Sequence, residues 1–599
     1  MLAGPAVGRL CRHLLRQPSL VTRRAQYSLR SERVPPPTRL TQSVVSCPGG
    51  VPLLHLTLAD AVDRAAADHG SQTAAVFVHQ DIRRSWREIT YEADRLARGF
   101  LSLGLQKGDR IGIWATNVYE WLLTQYAAAK AGLILVHVNQ AYQSRELEYC
   151  LRKVGVRTLV AAAGYRTSDY YTMLTELVPA LSDGEAGVPL TVRSERLPEL
   201  RDIVMISPER RRGVLRFDDL LDAGMESLSG ELERRQAQVD CDDPCSIQFT
   251  SGTTGLPKGA TLSHHNVINS ANQVAHRIGL EEGSARICLP VALYHAFGNM
   301  FGSMLSPLHG NALVFPSQVF DAGASLQATQ DERCTHMYGT PTMFVDMVNI
   351  AKQKRHDLSS LYSGIVAGAP VPFHLMHSMI EDMNMRDAVV LYGMTEACSM
   401  ATGYPSDDLE HRCGTVGYPN NHIEVKVVDD TGATLPIGQT GELWVRSFSN
   451  FLGYWDDEEK TRSTVTPTGW LRTGDLATMA SDGYVKIVGR LKDMVIRGGE
   501  NIYPTEVEDF LMSHPDVLEA HAFGVPDERL GEELAVWIKA REPGAVTEQQ
   551  IRSFCKGRIA HFKVPRYIRF RDDFPVTVSG KVQKFELRNT FARELGLNK

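Results

Sequence analysis

The ten residues Thr250-Ser251-Gly252-Thr253-Thr254-Gly255-Leu256-Pro257-Lys258-Gly259 concentrate hydroxyl side chains, three glycines and one lysine in a single stretch. Glycine lets a backbone approach a ligand closely and turn its N–H groups toward anionic oxygens, hydroxyls add donors, and lysine supplies a mobile positive charge. That chemistry suits a polyphosphate, and Thr250 through Lys258 reads as a loop for a nucleoside triphosphate. Its order is not that of a Walker A loop, in which glycine directly precedes the lysine and Ser or Thr follows it, because Lys258 stands between Pro257 and Gly259. P-loop kinase or GTPase chemistry is therefore disfavoured. Out of context a Gly/Thr-rich stretch is more often a surface turn, so the reading depends on what accompanies it.

Four further motifs follow in order: Tyr392-Gly393-Met394-Thr395-Glu396, Arg472-Thr473-Gly474-Asp475, Gly489-Arg490-Leu491-Lys492-Asp493 and Ser579-Gly580-Lys581. Together with the loop they resemble the signatures of the acyl-adenylate-forming superfamily, which contains acyl-CoA synthetases, luciferases and the adenylation domains of peptide synthetases. The resemblance runs from about residue 55 to about residue 590. It implies ATP as a substrate and a reaction in two steps. A carboxylate attacks the α-phosphorus of ATP to give an acyl-adenylate and pyrophosphate, and a thiolate then attacks the acyl carbon and expels AMP. Phosphoryl chemistry of this kind needs positioning and charge stabilisation more than covalent help from the protein.

The resemblance also implies roles for single residues. A carboxylate beside a triphosphate is repulsive unless a divalent cation lies between them, which assigns Glu396 to Mg²⁺. Thr395 would donate to the α-phosphate, and Tyr392 would offer an aromatic face to adenine, with the backbone of Gly368-Ala369-Pro370 flanking the base. Asp475 can accept two hydrogen bonds from vicinal ribose hydroxyls, and Arg490 is expected at ribose or phosphate. Lys581 is the leading catalytic candidate, since a cation between the acid and the α-phosphate offsets the repulsion of two approaching anions. Gly498 and Gly499 are expected to face the thin pantetheine arm of CoA. Each residue also has a plainer reading: a core tyrosine, a Thr-Gly-Asp turn, a solvated lysine.

Gly393 leaves open a pocket that tryptophan caps in acetate-activating relatives, so a longer apolar acyl chain is expected, and a medium-chain fatty acid is the preferred substrate. His295 stands where amino-acid-activating relatives carry an aspartate, which disfavours amino acids; a substrate role and a structural hydrogen bond are weighed equally for it. No carrier-protein module follows Lys599, which favours free CoA as the acceptor. The alternatives are an aryl- or branched-acid CoA ligase, with residues between Tyr338 and Phe344 lining the pocket, and a non-catalytic adenylate-binding protein. Intact Glu396, Asp475 and Lys581 argue against the last.

These residues must be positioned by an α/β scaffold. The chain has 599 residues, 43% hydrophobic and 22% charged, more than one core usually serves. A helix is predicted over 58–67, and strand 110–115, helix 119–131 and strand 133–138 form a βαβ unit. Similar α/β alternation is predicted over 246–316 and 363–392, a β-rich subdomain around 425–445, and a separate C-terminal domain with helix 505–513 and strands 518–523 and 534–540. The expected class is a large N-terminal domain of doubly wound α/β layers, 56–491, and a smaller mobile α+β domain, 492–599, hinged near Lys492. Residues 32–55 are expected as a linker. The first 31 residues hold six arginines and no acid, which reads as a mitochondrial transit peptide and predicts a matrix enzyme. Losing those six charges would take the net charge from −6 to −12, unsuited to nucleic acid. No apolar run is long enough to span a bilayer, and the scattered cysteines read as free thiols.

Overall fold

The computed structural model describes residues 39–224, 228–250, 257–280, 283–497, 500–527, 529–556, 558–559, 561–576 and 582–596. Two large sheets carry most of the chain. In the first, strands run in the order Leu215–Arg216, Asp202–Ile206, Val156–Ala162, Arg110–Trp114, Ile134–His137, Pro244–Thr250, Lys258–Ser263 and Gly453–Tyr454. The second orders Tyr418–Pro419, Cys398–Thr402, Asp387–Met394, Ser363–Ala367, His336–Gly339, Arg286–Cys288, Ala312–Phe315, Thr73–Phe77 and Ile82–Ser85. Their central strands are parallel, as in Arg110↔Ile134 and Ser363↔Asp387. The helix between Arg110–Trp114 and Ile134–His137, Tyr119–Lys130, is buried nearly all round, as a helix packed within the layers must be. Helix starts are fixed locally: Thr57 with Asp60, Ser85 with Glu88 and Ser263 with Asn266 each close a reciprocal capping pair.

A third sheet, fully antiparallel, orders Val44–Cys47, Ile423–Val428, Gly441–Ser447, Leu471–Met479 and Val485–Arg490. Its first strand corrects the expectation of a linker over 32–55: Val45 and Cys47 are buried and pair with Val425 and Ile423. A fourth sheet holds Val495–Arg497, Glu500–Ile502, Val517–Asp527, Gly531–Ala540 and Tyr567–Phe570 and has hydrophobic clusters of its own, around Leu534 and Ile538 on one face and Trp537 and Phe591 on the other. Helix Pro504–Met512 packs against both Val517–Asp527 and Val485–Arg490, so the last sheet rests on the third. The predicted helices at 58, 119 and 505 are found as Leu58–His69, Tyr119–Lys130 and Pro504–Met512. The expectation of βαβ alternation starting at 246 differs at its first step: Pro244–Thr250 and Lys258–Ser263 are antiparallel neighbours, because the few residues between them suffice for a hairpin and not for a crossover. Among the described residues no helix is long and apolar enough to cross a membrane, and their nine cysteines are all free.

Candidate active site

Three of the sheets meet where the motif residues lie. Thr250 ends one strand and Lys258 begins its antiparallel partner, and the two stand opposite each other in register. Of the predicted phosphate loop, Ser251, Gly252, Thr253, Thr254, Gly255 and Leu256 lie outside the described residues, as do Gly498, Gly499, Lys581 and the expected transit peptide. Pro257 is half-buried, its carbonyl accepting from the Tyr149 hydroxyl at 3.0 Å. The second sheet delivers Gly368-Ala369-Pro370, exposed at the carboxyl end of Ser363–Ala367, where Gly368 has φ +97°. The carboxyl ends of parallel strands are where open α/β sheets bind ligands.

From the same edge, strand Asp387–Met394 runs into a one-turn 3₁₀ helix, Thr395–Ala397. The pairing with Cys398–Thr402 shifts register between Tyr392 and Gly393, and Cys398 takes φ +53°, a left-handed conformation costly for a residue with a Cβ. This strained return packs Glu396 into the interior, 5% exposed. Its Oε1 accepts from Tyr454 Oη at 2.7 Å and Thr250 Oγ1 at 3.2 Å. Among the described residues Oε2 accepts no hydrogen bond. A buried carboxylate with one oxygen saturated by donors and the other free is a hard ligand suited to Mg²⁺, so the residues present fit the expected ion.

Lys258 does not reach Glu396 directly. Its Nζ donates to Tyr454 Oη at 3.0 Å and lies 4.3 Å from the centre of that ring. Burial lowers the Lys258 pKa, against the opposing pull of the Glu396 charge, and burial followed by that same charge raises the Tyr454 hydroxyl.

The third sheet contributes Asp475 and Arg490, cross-strand neighbours. Asp475 is 5% exposed; Arg490 Nε meets its Oδ1 at 3.0 Å, and Tyr392 Oη donates to its Oδ2 at 2.6 Å. The Asp475 charge raises the Arg490 pKa, and burial followed by Asp475 raises that of Tyr392. Tyr392 thus uses its hydroxyl to join the second sheet to the third, while its partly buried side chain packs against the main core and makes no aromatic contact among the described residues. A carboxylate has about four acceptor positions, so Asp475 keeps capacity for further donors.

His295 caps the short helix Ala296–Gly298, Nδ1 accepting from Phe297 N–H at 3.3 Å, a structural hydrogen bond that leaves its expected substrate role untested. Beyond it Phe297 stacks on Tyr338 with ring centres 6.2 Å apart, both buried. Tyr454 is the participant that the motifs did not reveal, since its partners Lys258 and Glu396 lie 196 and 58 residues away in the chain.

Comparison with known proteins establishes the family. The family model described as "AMP-binding enzyme" matches residues 62–455, and "AMP-binding enzyme C-terminal domain" matches 506–581. The chain is 44% identical over 561 residues to a Danio rerio protein named medium-chain acyl-CoA ligase ACSF2, mitochondrial, covering 93% of this chain and 92% of that one. It is 41% identical over 547 residues to the Homo sapiens protein of the same name, covering 90% and 88%. Among solved structures, the anthranilate CoA ligase AuaEII with anthranoyl-AMP aligns with TM-score 0.78 at 28% identity, over 90% of this chain and 98% of that one. ATP-bound MatB from Rhodopseudomonas palustris aligns with TM-score 0.76 at 25% identity, over 90% and 99%. With the motif residues of three sheets gathered at one edge and both family domains matched in order, the chain belongs to the AMP-binding enzyme family.

Proposed function

We propose that this protein is an AMP-forming ligase of the mitochondrial matrix that activates a medium-chain fatty acid with ATP and transfers the acyl group to CoA. The names of its relatives at 41–44% identity support the substrate class and the organelle, and the arginine-rich, acid-free first 31 residues support import. The observation that carries the reading is the convergence of Thr250, Lys258, Glu396 and Asp475 from three sheets.

In the first step a carboxylate oxygen bonds to the α-phosphorus and the bond to the pyrophosphate oxygen breaks. Thr250 to Lys258 hold the phosphates, Thr395 donates to the α-phosphate, and Asp475 with Arg490 holds the ribose. Adenine lies on the Tyr392 face beside Gly368, Ala369 and Pro370. Glu396 is the residue that would hold a divalent cation, which would supply positive charge to the triphosphate. Lys581 is assigned to offset the repulsion of the two anions as they approach. In the second step the CoA thiolate adds to the acyl carbon and AMP leaves, with Gly498 and Gly499 along the pantetheine arm. Two chemistries at one site require the unit after Lys492 to change its face between steps.

Pyrophosphate release, measured with acids from acetate to palmitate and with benzoate and anthranilate, in the presence and absence of CoA, tests the reading. Release is expected to peak with medium-chain acids and to turn over fully only with CoA. A maximum at an aryl acid replaces the substrate class, and no acid-dependent release with any of them overturns the reading.

A further inference from the structure

Tyr454 sits where two charged groups of the site would otherwise meet. Its hydroxyl accepts from the Lys258 ammonium at 3.0 Å and donates its single proton to Glu396 Oε1 at 2.7 Å. Lys258 and Glu396 form no ion pair with each other among the described residues, so this one oxygen stands between cation and anion. The tyrosine is itself held from several sides. Strand Gly453–Tyr454 pairs with Lys258–Ser263, Tyr454 opposite Ala260, its N–H donates to Thr461 Oγ1 at 2.9 Å, and its ring packs edge-on against Phe451 at 4.8 Å. Phe451 N–H in turn donates to the Glu396 carbonyl at 2.9 Å, and Ser449 Oγ to the Ala397 carbonyl at 2.9 Å. The segment 449–454 thus fastens both the backbone and the side chain of the Glu396 turn.

We propose that Tyr454 is a positioning residue for nucleotide binding, a spacer whose hydroxyl keeps Lys258 and Glu396 from neutralising each other and so preserves both charges for Mg·ATP. The proposal rests on the reading of Lys258 as a phosphate ligand and Glu396 as a metal ligand. An ammonium and a carboxylate in a partly desolvated site attract strongly, and a direct pair would withdraw the cation from the phosphates and cover the carboxylate oxygens. With the hydroxyl in place, Oε1 is committed to Tyr454 and Thr250, Oε2 accepts no hydrogen bond from the described residues, and the ammonium is retained by a neutral acceptor and a ring face that release it more readily than a carboxylate does.

Tyr454→Phe keeps the ring, its contact with Phe451 and its stacking under Lys258, and removes only the spacer oxygen. Calorimetric titration of Mg·ATP into the purified protein is expected to give about a tenfold weaker Kd for this variant, the scale of one charge-assisted hydrogen bond. Lys258→Met is expected to weaken binding by itself, and in that background Tyr454→Phe adds less than about twofold, because the cation that would collapse onto Glu396 is gone. A Tyr454→Phe protein that binds Mg·ATP like wild type, or losses that multiply in the double variant, overturns the proposal. Failure of the underlying reading looks different: wild-type protein then shows no acid-dependent pyrophosphate release, or Lys258→Met alone leaves Mg·ATP binding unchanged.

Discussion

Asp475 already holds the Tyr392 hydroxyl on one oxygen and Arg490 Nε on the other, and it can still receive ribose hydroxyls on its remaining lone pairs. Asp475→Ala removes those acceptors together with the anion that faces Arg490. The expected result is a KM for ATP raised by roughly tenfold to a hundredfold, as for one or two hydrogen bonds to a charged acceptor, with the KM for the acid changed much less. Initial rates with each substrate varied in turn measure this, and an unchanged ATP dependence refutes the ribose role. Glu396 and Asp475 were legible because each closes a short motif whose neighbours also carry chemistry. Tyr454 was not, because nothing in Gly453-Tyr454-Trp455 shows that distant Lys258 and Glu396 converge on it. Gly393 was half legible. Its missing side chain suggests an open acyl pocket, but a Cβ there would also lie 2.0 Å from the Cys398 carbonyl oxygen, so the bulged strand pair demands glycine independently of any substrate.

Strand Val44–Cys47 shows how an element escapes sequence reading. Four residues give too little alternation to separate a strand from an extended linker, and what makes it a strand is a partner, Ile423–Val428, nearly four hundred residues away. Its inward side chains, Val45 and Cys47, belong to the main core. A chain beginning at residue 48 is therefore expected to be less stable than one beginning at residue 39 by roughly 2–4 kcal/mol, from lost apolar burial and an exposed edge of the third sheet. Thermal unfolding of the two truncations compares them, and equal midpoints show that the pairing contributes nothing. Helices such as Leu58–His69 were read closely because spacing and caps are local. The hairpin Pro244–Thr250 with Lys258–Ser263 is not distinguishable in sequence from one step of a crossover alternation, since two apolar runs look alike whether their strands pair parallel or antiparallel.

At the scale of the molecule, buried histidines tie stability to pH. Burial lowers the pKa of His137, His309 and His336 to about 3 and of His264 to about 4, from 6.5. The unfolded chain binds protons below about pH 6.5 that the folded chain refuses, so stability is complete above that pH and falls as pH drops toward 3–4. The thermal midpoint is expected to decline from about pH 6.5 downward, and less steeply in His336→Leu, which removes one titrating group; an unaltered slope in that variant refutes the assignment. The arrangement of the two matched family domains makes a second demand. Lys581 is the last residue of the stretch 506–581 that the C-terminal family model matches, and helix Pro504–Met512 at the start of that stretch rests on strand Val485–Arg490, the strand that ends in Arg490 beside Asp475. On the proposed two-step reaction, a lysine serves the step in which two anions meet and not the one in which a thiolate attacks an activated acyl group. Lys581→Ala is therefore expected to slow acid-dependent pyrophosphate release by about a hundredfold or more, while transfer from supplied acyl-adenylate to CoA stays within about threefold of wild type, the interaction lost being made only in the first transition state. Single-turnover measurement of each half-reaction separates the two, and an equal loss in both refutes the division of labour.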